Sequence, residues 1–334
     1  MVNVYITVDT ECSLGGAWEN SNWKPVGPDR AVLGQIDSKV YGVPLIMDIL
    51  EENGLRGTFF TEVLVNDLLP DSELAAAYSP IRERGHDVQL HLHPVFHYYH
   101  LVTQGRMRRE DLPDRMDLIG GLPLNIQIEL LKKGCTIFRS IFGSLPIAFR
   151  AGVYGASMIT LDALKEVGIS YDSSFNAAYL DDSCLMGPKK PTNMPWQTRG
   201  VWEIPVTTFE TGGGSMRGLK PLEVSAVCLW ELQDVLKQAE SLGQDTVTVM
   251  LHSFAFLKRA DSQFRKMRPD HLVIRRFRKF CNFLRSNQDR FRVRTFSEIP
   301  ELSQDAPDVP LPAMGVLIPS FRKLVQAANR IYWI

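Results

Sequence analysis

From Val2 to Val8 the chain is apolar at most positions, and it turns polar abruptly at Asp9, Thr10 and Glu11. A run of that kind predicts a buried strand that delivers polar groups at its end. The next segment, with Gly15, Gly16, Trp18, Trp23, Pro25 and Pro28, keeps no period and predicts a long loop. Pro44 suits the first turn of a helix running to about Asn53 and closed by Gly54, after which Gly57 to Thr61 predict a strand. A partly helical stretch from Ser72, interrupted near Pro80, leads to an extended run from Asp87 to His93.

The alternation continues. Leu124 to Phe142 has a helical pattern with Gly134 as its weak point, and Pro146 to Arg150 start another strand. Leu161 to Val167 read as a helix ending at Gly168. Val201 to Val206 and Thr246 to Leu251 are later strands, and Phe291 to Phe296 are expected to be the last. Asp270 is placed to cap a helix whose apolar stripe is Val273, Ile274, Phe277, Cys281 and Leu284, with Arg275, Arg278 and Lys279 largely outside it. Recurrent βα units predict a mostly parallel sheet covered by helices, with chemistry at the carboxyl ends of the strands. Asp9, Glu11, His91, His93, Arg150 and His252 all fall at or just beyond such ends.

Composition narrows the classes. The 334 residues carry 37 basic and 38 acidic side chains, a formal charge of -1, so no global field draws the chain to nucleic acid or to an anionic membrane. No segment approaches the roughly 20 apolar residues of a membrane span, and the N-terminus lacks a secretory pattern, so a cytoplasmic protein without an integral membrane segment is expected. Five scattered cysteines without a CxxC pair argue against a zinc knuckle or a disulfide scaffold. We expect one catalytic domain over residues 1–305. A proline-punctuated tail, 306–334, ends in Ile331, Tyr332, Trp333 and Ile334, and the oligomeric state is not encoded.

Five of the seven histidines crowd between His86 and His100. Imidazole is a neutral metal ligand and a proton carrier near pH 7, so the crowding points to a metal site completed by a carboxylate from elsewhere. On a strand, His91 and His93 share a face. Asp9 and Glu11, two residues apart, can likewise aim at one pocket, one acid binding a divalent ion and the other accepting a proton. Trp18, Trp23, Phe96, Tyr98 and Tyr99 offer flat surfaces to a sugar, although each ring alone more often serves packing.

In order, the segments Thr7 to Glu11, Gly57 to Phe60, Gly85 to His91, Phe149 to Gly152, Tyr171 to Ser174 and Leu251 to Ser253 resemble the polysaccharide deacetylase family, the NodB-like carbohydrate esterases. The resemblance implies a deformed (β/α)7-type barrel of mostly parallel strands and metal-assisted removal of an N- or O-acetyl group from a carbohydrate or glycan precursor. By motif position, Asp9 resembles the catalytic base, Arg150 the arginine that orients it, His252 the general acid and His91 the first metal histidine. Many relatives have adjacent aspartates where this chain has Asp9, Thr10 and Glu11, and a second metal histidine where it has Val95. The expected ligands are therefore Glu11, His91 and either His93 or His97, around zinc or, alternatively, cobalt or nickel. His97 enters if Pro94 turns the chain toward the pocket. Two other readings compete: a related barrel hydrolase acting on another small C–N bond, and a catalytically silent carbohydrate-binding or assembly protein.

Overall fold

The computed structural model describes residues 1–70, 72–180, 182–187, 190–212, 218–303 and 309–315, together with 322, 326 and 329. In strand β1 (Val2–Thr10) every residue is buried except the half-buried Asn3. Its Val4, Ile6 and Val8 join the large apolar cluster beneath the helices, whereas Tyr5 belongs to a second cluster with Phe60, Ala148, Ile204 and Phe296. The two-residue pleat therefore sends Thr7 and Asp9 to the Tyr5 face, the inside of a curled sheet.

Apart from a small antiparallel hairpin of Gln35–Ile36 with Lys39–Val40, the other strands are β2 (Thr58–Glu62), β3 (Asp87–Leu92), β4 (Ala148–Ala151), β5 (Tyr171–Asp172), β6 (Trp196–Thr198), β7 (Val201–Glu203), β8 (Thr208–Thr211), β9 (Gly218–Pro221), β10 (Thr246–His252), β11 (Leu257–Arg259), β12 (Met267–Pro269), β13 (Phe291–Arg294) and β14 (Ala313–Met314). Nine of these form one curled sheet in the order β10-β1-β2-β3-β4-β5-β7-β6, with β13 beside the first half of β1. All its pairings are parallel except β6 with β7. This is the mostly parallel sheet expected from the βα alternation, curled as in the deformed barrel that the resemblance implies.

Helices α1 (Val43–Glu52), α2 (Glu73–Glu83), α3 (Pro94–Thr103), α4 (Leu124–Phe142), α5 (Met158–Glu166), α6 (Leu229–Leu242) and α7 (His271–Ser286) supply the cover. Gly134 has a use inside α4: a Cβ there would stand 2.8 Å from Leu92 Cδ2, so glycine lets the helix approach β3 closely. That contact offsets a helix-propensity cost of about 1 kcal/mol. Asp270 caps α7 by accepting from the N–H groups of Leu272 and Val273, and the stripe Val273, Ile274, Phe277, Cys281 and Leu284 is buried, with Phe280 added.

Several expectations change. Pro80 does not interrupt its segment but lies inside α2, which spans Glu73–Glu83. The extended run stops at Leu92, because Pro94 takes the first turn of α3 and leaves His93 as the residue that caps it. Phe291 to Arg294 are not the last strand, since Ala313–Met314 pairs with β8. Helix α6 was unforeseen, although its buried Leu232, Val235, Leu236 and Ala239 stand at helical spacing and Gly243 closes it in the left-handed region. Within the tail, Arg322 reaches the buried Glu231 at 2.8 Å, and Asn329 accepts from Lys258 Nζ at 2.5 Å. The terminal Ile331, Tyr332, Trp333 and Ile334 lie outside the described residues. Among the described residues no helix is long and apolar enough to cross a membrane.

Candidate active site

Sheet register gathers the polar residues. His252 is paired with Asp9 across β10 and β1, Glu62 with His91 across β2 and β3, and His91 with Arg150 across β3 and β4. Glu11 continues the inward face of β1 just past its end. Its Oε2 lies 2.7 Å from His93 Nε2 and 3.3 Å from His91 Nε2. The imidazole centroids are 4.9 Å apart at 85°, and one ligand atom from each of the three residues falls within 4.8 Å of the others.

The outer nitrogens of both rings are already engaged. His91 Nδ1 donates to the Arg150 carbonyl at 2.8 Å, which turns Nε2 toward Glu11. His93 Nδ1 is 2.8 Å from Asp117 Oδ2, while Asp117 Oδ1 accepts the Val95 N–H at 3.2 Å. Room for the His93 ring comes from Gly152, where a Cβ would stand 2.5 Å from His93 Nδ1.

Donor chemistry fits a divalent cation. With Nδ1 of His91 committed as a donor, a neutral imidazole presents a lone pair at Nε2, facing the Glu11 carboxylate oxygen. Two acceptors at 3.3 Å need a positive charge between them, and a carboxylate plus two imidazoles with fixed outer hydrogen bonds is a zinc-type ligand set. Burial alone would raise the Glu11 carboxyl, but the His93 charge, the hydrogen bonds of both histidines and the His252 charge hold it well below the usual range. Burial alone would lower His93, and Asp117 with Glu11 drives it well above its ordinary value.

Asp9 is buried beside Arg150, whose Nη1 donates to Asp9 Oδ1 at 2.7 Å and to Thr7 Oγ1 at 3.0 Å. The contact to Asp9 is through one nitrogen only, because the other guanidinium donors go to Ser173: Nε to its carbonyl and Nη2 to its Oγ, both at 2.9 Å. Arg150 also lies 4.3 Å over the Phe60 ring. Ser173 is flanked by Asp172, which faces Glu203 across β5 and β7. Burial pushes both carboxyls up, behind the arginine.

His252 stands at the end of β10 with Nδ1 3.7 Å from Glu223 Oε1. Burial alone would lower this imidazole, yet the Glu223 contact and the charges of Glu11, Glu223 and Asp9 push it up to about 9. Glu223 shows the matching displacement: burial would raise it, and His252, Ser225 and Lys220 lower it.

Of the alternative histidines, the structure brings His93 to the cluster and leaves His97 outside. His97 is carried on α3 toward α4, with Nδ1 3.3 Å from Lys133 Nζ, which is itself paired with Asp67. Phe96 and Tyr98 are core residues, and Trp18 packs edge-on against Tyr99 at 5.1 Å. The sequence reading missed Asp117 and Glu223. Neither stands in a motif, and each acquires meaning only from the histidine it meets.

No family model matches the sequence, and no curated protein matches it. Among solved structures, a Mycobacterium smegmatis protein assigned as a polysaccharide deacetylase is similar with a TM-score of 0.52 at 15% identity, over 92% of this chain and 94% of that one. A family 4 carbohydrate esterase from Streptomyces lividans, in complex with acetate, gives 0.42 at 9% over 93% and 98%. A Bacillus anthracis pseudoenzyme of the same esterase family gives 0.43 at 10% over 93% and 69%. The first likeness, together with the strand order above, establishes that this chain has the fold of the polysaccharide deacetylases.

Proposed function

We propose that the chain is a divalent-cation-dependent hydrolase that removes an acetyl group from an N- or O-acetylated carbohydrate, with residues 1–305 as its catalytic domain. One observation carries the reading. The Glu11, His91 and His93 donor set, the Asp9–Arg150 pair and the His252–Glu223 pair stand together at strand ends of one sheet.

Glu11, His91 and His93 would hold the cation, zinc before cobalt or nickel; when bound it supplies Lewis acidity toward the acetyl carbonyl and toward water. Asp9 acts as the base that takes a proton from the attacking water. Arg150 keeps that carboxylate in place through the Nη1 hydrogen bond. His252 enters protonated, held so by Glu223, and gives its proton to the departing sugar nitrogen or oxygen. For an amide the donation is essential, since an unprotonated amine leaves poorly.

Acetate release from a panel of acetylated saccharides tests this reading. Asp9→Asn and His252→Ala should each lower kcat by about 100- to 10,000-fold, as expected for loss of general acid–base catalysis. Full turnover after chelation, or unchanged turnover in both variants, would overturn it.

A further inference from the structure

The hairpin of β11 and β12 holds a cation that the proposed chemistry leaves without a task. The Arg259 guanidinium carbon lies 4.4 Å from the ring centroids of both Phe254 and Phe264, two rings that meet at 83°. Such a corner fixes the plane of the group. Phe254 also stacks on the candidate acid, its centroid 5.1 Å from that of His252 at 18°. The guanidinium is thus one ring away from the reacting centre.

Among the described residues no carboxylate or other acceptor lies within hydrogen-bond reach of Arg259, whereas the nearby Arg30 donates to the Phe264 carbonyl and Arg265 pairs with Asp261. The hairpin is anchored on the first loop, with Ser262 Oγ and Gln263 Nε2 donating to the Gly15 carbonyl at 3.0 and 2.7 Å. Beyond Phe264 opens a cleft of about 660 Å³ lined by Arg30, Arg265, Lys266 and Arg268 against Asp29 and Asp37. In a chain of formal charge -1 this is a local excess of positive charge.

A planar group with five N–H donors, fixed by aromatic faces and without an acceptor among the described residues, matches an anion that offers two oxygens. We propose, resting on the deacetylase reading, that Arg259 recognises a carboxylate or phosphoryl substituent of the acetylated sugar, so that the substrate is an acidic saccharide. Simple packing would be served equally by an uncharged side chain of similar length. That alternative predicts no dependence on substrate charge.

The test compares kcat/KM for N-acetylglucosamine, its phosphate monoester and N-acetylmuramic acid in the intact chain, in Arg259→Met and in Arg259→Lys. The intact chain should favour at least one anionic sugar by about 10- to 100-fold, mostly through KM, as a charge-assisted hydrogen bond allows. Arg259→Met should collapse that ratio and Arg259→Lys keep part of it. Which anionic arm is favoured separates phosphoryl from carboxylate. Equal kcat/KM for neutral and anionic sugars, or the same ratio in Arg259→Met, overturns the proposal. If no sugar releases acetate, calorimetric binding of the same three sugars to the cobalt-loaded chain decides. Anion-selective binding lost in Arg259→Met retains Arg259 and removes the deacetylase reading, and absence of selectivity removes the Arg259 assignment too.

Discussion

At the scale of single residues, the cluster depends on groups that never touch the reacting atoms. Asp117 fixes the His93 tautomer and Gly152 leaves its ring space. Loss of such an outer partner typically costs 10- to 100-fold in metal affinity. Asp117→Ala should therefore weaken cobalt binding by about that factor, and Gly152→Ala, which drives a methyl into the imidazole, at least as much. Competition titration against a chromophoric chelator measures both, and wild-type affinity in the two variants would remove the outer partners from the account. His252 carries the pH prediction. Its protonated form is the acid, and its pKa is raised to about 9, so kcat/KM should fall on the alkaline side as that proton is lost. Removing the Glu223 charge in Glu223→Gln takes away support for the imidazolium, so the limb should move to lower pH. A limb that stays in place would mean that another group titrates there. Asp9, Glu11 and the histidines were legible as residue types because they stood at predicted strand ends. Same-face geometry already favoured His93 over His97, but the contact that seats His93 was hidden, because Asp117 lies 24 residues further on in sequence and outside every motif.

At the scale of elements, one side chain ties three strands. Arg150 leaves β4, binds Thr7 and Asp9 on β1, and holds Ser173 just beyond β5, all in the interior of the curl. The pairing is buried at both ends, so removing the guanidinium strands the Asp9 carboxylate without a partner. An uncompensated buried charge of this kind costs about 3–5 kcal/mol. Arg150→Met should lose about that much stability in urea denaturation, and adding Asp9→Asn should recover part of it because the orphaned charge disappears. A loss below about 1 kcal/mol would show that the tie is dispensable to the sheet. Elements were read correctly where one periodicity dominated. Helix α4 has the bounds expected from its pattern, and Asp270 caps α7 as predicted. The reading failed where two signals overlapped: Pro94 ended the extended run one residue before the second histidine, and the hairpin of β11 and β12 has strands of only three residues. Short strands offer too few alternations to betray a period.

At the scale of the whole molecule, the proposed cation is a clasp between distant parts of the chain. Glu11 extends β1, His91 belongs to β3 and His93 caps α3, so the three donors meet only when the sheet has closed through β2. The unfolded chain has no such site, and an ion that binds only the folded state adds RT ln(1 + [L]/Kd), about 2.7 kcal/mol at a hundredfold excess over Kd. In a domain of this size that corresponds to a rise in Tm of about 3–6 °C. Scanning calorimetry with cobalt and with chelator should show this rise in the intact chain. Glu11→Gln should abolish it, because a neutral amide cannot replace the carboxylate between the two imidazoles. His97→Ala should leave it intact, since His97 faces Lys133 and Asp67 on the other side of α3. An equal rise in Glu11→Gln would place the ion elsewhere and detach the histidine cluster from the chemistry. A rise lost in His97→Ala would instead mean that α3 rotates to bring its second histidine inward. The fold permits the clasp because β1 is central, paired with β10 on one edge and with β2 and β13 on the other, so a tie at its end is transmitted to both sides of the sheet.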